Sequence, residues 1–132
     1  MYKNSKTIRR VGRVLIIMVA VVLILACICK LLDVGAEDMI EGLEKAGLSD
    51  YVTLISLSSL ICGLLLLIPP FWKLGLLMSS AYWGGAIVAH LTYDDSVLMP
   101  AIFLGLLWVG AGLELASETI STKANIDASV NS

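Results

Sequence analysis

Charge is scarce in this sequence. Only 15% of its 132 residues are charged, where a soluble domain has about a quarter. The deficit is uneven: long stretches carry no charge, and the charges collect between them. A bilayer selects that distribution, because a charged side chain at its centre costs at least about 2.5–3.5 kcal/mol. A hydrophobic fraction of 58% and a mean hydropathy of +0.92 agree. Histidine occurs once, which excludes a bis-histidine haem. There is no CxxC or Cys/His array, so no zinc site is assigned. No P-loop, HExxH or Ser/His/Asp set is present, so no catalytic residue, metal ligand or cofactor is assigned. Basic residues cluster only in a short N-terminal arm, which argues against nucleic acid as a partner.

The three cysteines, Cys27, Cys29 and Cys62, lie inside apolar runs. Cys27 and Cys29 are two apart, about 200° around a helix, and so are badly placed to pair. They read as small buried hydrophobes.

What is present is four apolar runs. Residues 1–13 form a basic arm with Lys3, Lys6, Arg9, Arg10 and Arg13 and no acid. The first run covers 14–32. Crossing roughly 30 Å of hydrocarbon takes about 20 helical residues, which this run supplies. It exceeds the apolar core of a cleaved signal peptide, about 7–15 residues. The other runs are 51–69, ended by Pro69-Pro70, then 74–92, then 97–115, with Pro100 tolerated in a first turn. Ser49 or Asp50 can cap the second run. Phe71, Trp72 and Lys73 form an interfacial turn. Residues 116–132 are polar, lack an apolar period, and predict a disordered tail.

Between the first two runs the chain is acidic, with Asp33, Glu37, Asp38, Glu41, Glu44 and Asp50 against Lys45. Ala36, Met39, Ile40, Leu43 and Ala46 recur at helical spacing. Glu41 and Lys45 stand at the favourable i,i+4 offset. Gly47 supplies a stop, with Leu48 in contact behind it. The fold expected is all-α: a four-helix transmembrane bundle with a short amphipathic interfacial helix between helices 1 and 2.

Lysine and arginine set orientation. With the N-terminus inside, Lys3, Lys6, Arg9, Arg10, Arg13, Lys73 and Lys123 fall in the cytoplasm, and only Lys30 and Lys45 outside. The expectation is a multi-pass protein of a bacterial plasma membrane with both termini cytoplasmic.

Ionisable groups within spans are functional candidates. Lys30 lies roughly 12 Å outward of the middle of the first helix. His90 lies at similar depth in the third, beneath the segment bearing Glu41 and Glu44. These four define a candidate polar pocket, against the alternative that Lys30 snorkels and His90 bonds a carbonyl. Glu114, near the inner end of the fourth run, reads as a solvated helix end. Trp83 and Trp108 fall near mid-membrane, so both indoles are expected to face the interior. With Gly84 and Gly85 they form a candidate ligand lining. Gly75 with Ser79, Ala101 with Gly105 and Gly112, and Gly84-Gly85-Ala86 read as helix-packing seams.

The order of these pieces resembles the DoxX-like family of small four-helix membrane proteins. Lys30 is similar to a lysine common at that place. Leu43-Glu44-Lys45-Ala46-Gly47-Leu48 resembles the family's E-K-x-G-L segment. Leu64 to Pro69 followed by Leu74-Gly75 resembles its aliphatic run, proline turn and L-G start. Tyr82 through His90 resembles G-G-A-x-x-x-H, and Pro100 with Trp108 resembles the last helix. Where many members carry a glutamate in the second helix, Ser59 stands here. Some members are linked to membrane redox complexes and others to assembly of membrane proteins. The leading expectation is a non-catalytic accessory protein, whose partners are the bilayer and other membrane proteins or a second copy. The alternatives are a redox-complex subunit binding quinone or lipid near Trp83, Trp108 and His90, and a carrier using the outer polar pocket.

Overall fold

A computed structural model describes residues 2–131, with side chains from Asn4. Met1 and Ser132, at the ends of the basic arm and polar tail, lie outside the described residues, as do the side chains of Tyr2 and Lys3. The elements are α1 (Tyr2–Leu32), α2 (Glu37–Lys45), a 3₁₀ turn (Ser49–Tyr51), α3 (Val52–Leu67), α4 (Trp72–Thr92) and α5 (Leu98–Val130), with no strand among the described residues. Four helices are long and apolar enough to cross a membrane. They form a ring in which α1 and α4 each pack against both α3 and α5.

Two boundaries differ from expectation. The basic arm is not separate from the first run, because α1 begins at Tyr2. Lys and Arg are good helix formers, and Gly12 is the arm's weakest residue. The tail is not irregular, because α5 continues to Val130. Nothing after Gly112 breaks a helix: the segment holds no further Gly and no Pro. Thr119 and Thr122 turn their hydroxyls back onto the carbonyls of Leu115 and Glu118, so they do not compete for another fold. A helix of 33 residues spans about 50 Å, against roughly 30 Å of hydrocarbon. The ends of α1 and α5 therefore project together, joined where Ser5 Oγ donates to the Ser117 carbonyl at 3.5 Å.

Helix ends follow the chain's own turn chemistry. At the end of α2, Gly47 has φ +72°, Leu48 N–H donates to the Leu43 carbonyl, and Gly47 N–H to that of Glu44. This is a Schellman motif, and it bears out the stop read at Gly47. Helices α1 and α4 end similarly, but with Asp33 (φ 53°) and Asp94 (φ 54°) in the left-handed position. Val34 N–H reaches the Cys29 carbonyl and Asp95 N–H that of His90.

Ile16, Leu23, Leu66 and Leu107 fill the core, yet many large aliphatics sit on the outside. Leu54, Leu77, Val88, Leu91 and Leu98 are all about 60% exposed, while Ser56, Ser59, Ser79 and Glu114 are fully buried. Water would not tolerate that outward apolar surface; lipid does. In lipid there is no hydrophobic drive between helices, so close backbone approach matters. A Cβ at Gly75 would lie 2.7 Å from Leu66 N, and one at Gly63 2.9 Å from the Ala20 carbonyl oxygen. Gly12 and Gly110 face each other across α1 and α5, each with a Cβ position 3.0 Å or less from the other's carbonyl oxygen. The expected seam at Gly75 is thus present. Those at Gly84, Gly85, Gly105 and Gly112 are not, since nothing lies within 4 Å of their Cβ positions.

Gly75→Ala should therefore lower stability in detergent by about 1–3 kcal/mol, as overpacking does. Gly105→Ala should leave it unchanged or raise it through helix propensity. Thermal unfolding followed by helical circular dichroism distinguishes the two.

Candidate functional site

The most strongly built polar cluster lies at the end of the ring where α1 begins. Glu114 is the only acid in the four apolar runs, and it is fully buried. It is not a solvated helix end. Arg13 Nη2 donates to Glu114 Oε1 at 3.0 Å and Arg9 Nε to the same oxygen at 3.4 Å. Arg9 and Arg13 stand one helical turn apart on α1, facing α5. The Gly12–Gly110 contact sets the distance: a Cβ at Gly12 would lie 2.9 Å from Glu114 N. Ser117 Oγ donates to the Glu114 carbonyl at 3.0 Å. The second carboxylate oxygen, Oε2, is buried with no partner among the described residues.

Trp72 continues the cluster onto α4. It is buried, with the Arg13 guanidinium 6.0 Å and the Lys73 ammonium 5.6 Å from its ring. Lys73 also meets Glu118 at 3.3 Å, an exposed pair of small energetic weight. Sequence reasoning missed this network. Its signal was a lone acid inside a span together with arginines at i,i+4 on the first helix.

The expected pocket of Lys30, Glu41, Glu44 and His90 is not assembled: no hydrogen bond or ion pair joins them. Lys30 is 7% exposed, and its Nζ donates to Tyr82 Oη at 3.1 Å, crossing the ring from α1 to α4. Its position in the last turn of α1 lets the helix carbonyls favour its charge. His90 Nδ1 lies 3.1 Å from Asp95 Oδ2 in the turn after α4, and its ring leans on Tyr93 at 5.4 Å. Glu41 pairs with Lys45 at 2.8 Å. The hydrogen bond from Lys45 holds the Glu41 carboxyl below its ordinary range and raises Lys45. That pair's contribution is present above the ordinary carboxylate range and fades as pH falls through the lowered value. Glu44 is exposed and makes no such contact among the described residues. For His90 and Glu41 the reason is local: each finds a partner within its own turn or helix before it can reach another element. What α2 brings to α4 is Gly42, 2.8 Å from Tyr93 Oη at its Cβ position, and the charge of Lys45. Burial raises the Tyr93 hydroxyl, and Asp95 adds to it.

The two tryptophans do not share a slot. Trp83 is buried, stacked on Phe103 at 5.1 Å and edge-on to Tyr82 at 5.6 Å. Its Nε1 has no partner among the described residues. Trp108 is 50% exposed on the outer face of α5, contrary to the inward orientation expected. Gly84 and Gly85 border open space. Cys27 and Cys62 are buried and Cys29 half-buried, all three as free thiols. Ser59 donates to the Ser56 carbonyl at 2.8 Å. No group of three or more His, Cys, Asp or Glu comes together among the described residues.

Arg13→Ala leaves the buried carboxylate with only the longer 3.4 Å contact to the exposed Arg9 and should cost about 3 kcal/mol, whereas Glu114→Gln frees arginines that can turn to water and should cost less. Equal losses in a detergent melting experiment would contradict this account. No family model, curated protein or solved structure matches this chain.

Proposed function

We propose that the chain is a non-catalytic accessory protein of a bacterial plasma membrane, and that its outer α5 face receives a helix of a membrane partner or of a second copy. The observation that carries this reading is the stripe Ala101, Gly105, Trp108 and Gly112. These positions fall within about 60° of one another around α5. The two glycines have nothing within 4 Å of their Cβ positions, and Trp108 stands between them half exposed. Its indole N–H has no partner among the described residues. Hydrocarbon offers an indole no acceptor, whereas a neighbouring helix offers carbonyls and hydroxyls. Small residues beside a large one make notches that accept a second helix at close range.

The count of lysine and arginine supports both termini in the cytoplasm. In that orientation α2 lies at the outer headgroup layer, its acidic side toward water and Met39, Ile40 and Leu43 toward lipid. The resemblance of the motif strings to DoxX-like proteins is the basis for proposing membership of that family. The quinone and carrier readings receive no support from geometry: Trp83 is buried while Trp108 is half exposed on the outer face of α5, and no hydrogen bond or ion pair joins Lys30, Glu44 and His90.

Gly105→Leu with Gly112→Leu should abolish co-purification of the partner, or self-association in nanodiscs, by about tenfold or more, as loss of close helix packing does. The melting temperature of the isolated chain should stay unchanged, since the added side chains meet nothing within it. A wild-type chain that is monomeric and partner-free in mild detergent and in nanodiscs refutes the reading.

A further inference from the structure

We infer that Arg9, Arg10 and Arg13 form a binding site for the phosphodiester headgroup of an anionic phospholipid, in the leaflet on the side of the α1 start. Charge supplies the first reason. Arg9 and Arg13 share one carboxylate oxygen of Glu114, so two guanidiniums face one negative charge. Arg10, one residue on, is exposed and has no hydrogen bond or ion pair among the described residues. Arg9 spends its Nε on Glu114 and Arg13 one Nη2. The remaining N–H groups of both forks make no further hydrogen bond among the described residues, and forked donors fit phosphate oxygens.

Shape supplies the second. These three arginines and Val14 line an open cavity of about 400 Å³. Below it, an exposed apolar ridge continues along the same side of α1: Val14 (63% exposed), Ile17 (40%), Val21 (43%) and Leu25 (52%). Free phosphate has no use for that ridge. A lipid does, its acyl chain lying along the ridge while its phosphate sits at Arg10. Basic groups at this depth are where anionic headgroups are held.

A neighbouring cavity of about 380 Å³ beyond Arg9 includes Lys6, Ser117 and Thr122, but also the acid Glu118. The Ser5, Ser117 and Thr122 hydroxyls there already donate to carbonyls. It is the poorer place for an anion.

The test uses the full chain in mild nonionic detergent, titrated with phosphatidylglycerol or with phosphatidylcholine of the same acyl chains. Bound lipid is read by native mass spectrometry. The anionic lipid should bind about tenfold tighter at low salt, and the advantage should shrink as salt rises. Arg10→Gln should weaken the anionic lipid about fivefold and leave the zwitterionic one alone. Arg10 is unpaired and exposed, so this variant keeps the fold. Lys123→Gln, a charge change on the projecting part of α5, should alter neither. Millimolar inorganic phosphate should not displace the lipid. Equal binding of the two lipids overturns the inference, as does anionic binding indifferent to Arg10→Gln. Full displacement by inorganic phosphate overturns it in favour of a free-anion site.

Discussion

A carboxylate removed from water must be met by a cation or lose its charge, and that requirement organises one end of this molecule. Glu114 is met by Arg13 and Arg9. For the guanidiniums to reach it, α1 must start early enough to carry both arginines on one face. The α1 and α5 backbones must also come close, which Gly12 and Gly110 permit. Arg13 lies over Trp72, which ties the start of α4 to the same cluster. Three of the four spanning helices thus take their relative positions from one buried charge. Breaking such a pair costs more than forming it returns, so it acts to specify an arrangement more than to stabilise it.

The middle of the ring follows a different rule. With lipid outside, large aliphatic side chains lose nothing by facing outward. The interior goes to whatever fits closely: Ile16, Leu23, Leu66 and Leu107 in the core, Gly63 against Ala20, Gly75 against Leu66, and serines whose hydroxyls bond their own helix. The same rule marks where packing is missing. Gly105 and Gly112 are small without anything to be small for, unlike Gly75, and that contrast singles out the outer face of α5.

Much of this was legible in the sequence. The four runs, the stop at Gly47, the ends at Pro69-Pro70 and the Glu41–Lys45 pair needed only hydropathy, spacing and turn chemistry, all of which act within a few residues. The burial of Glu114 was not legible, because it depends on two helices about a hundred residues apart meeting through glycines. Trp108 was misread for a related reason. Depth can be counted along a helix, but facing cannot, and a helix with apolar residues all round carries little signal of which side is inward. Lys30, Glu44 and His90 sit near the same end of the bundle by count along their elements and still make no hydrogen bond or ion pair with one another, because position along a helix does not fix position around a ring.

The two ends of the ring are therefore unlike in kind. At the α1 start, charges bond between helices, Arg9 and Arg13 to Glu114 and Lys73 to Glu118, and the Ser5 hydroxyl adds a bond to the Ser117 carbonyl. At the opposite end, charges close on their own turn or helix: Glu41 with Lys45, His90 with Asp95. Among the described residues, Lys30 with Tyr82 makes the one side-chain hydrogen bond between helices there. Opening the first end means separating buried opposite charges. Opening the second costs one hydrogen bond between helices and the contact of α2 with Tyr93. Local stability tracks such differences in what must be broken. Motion in this bundle should accordingly be greatest beneath α2 and least around Glu114, where separating the carboxylate from its arginines costs most.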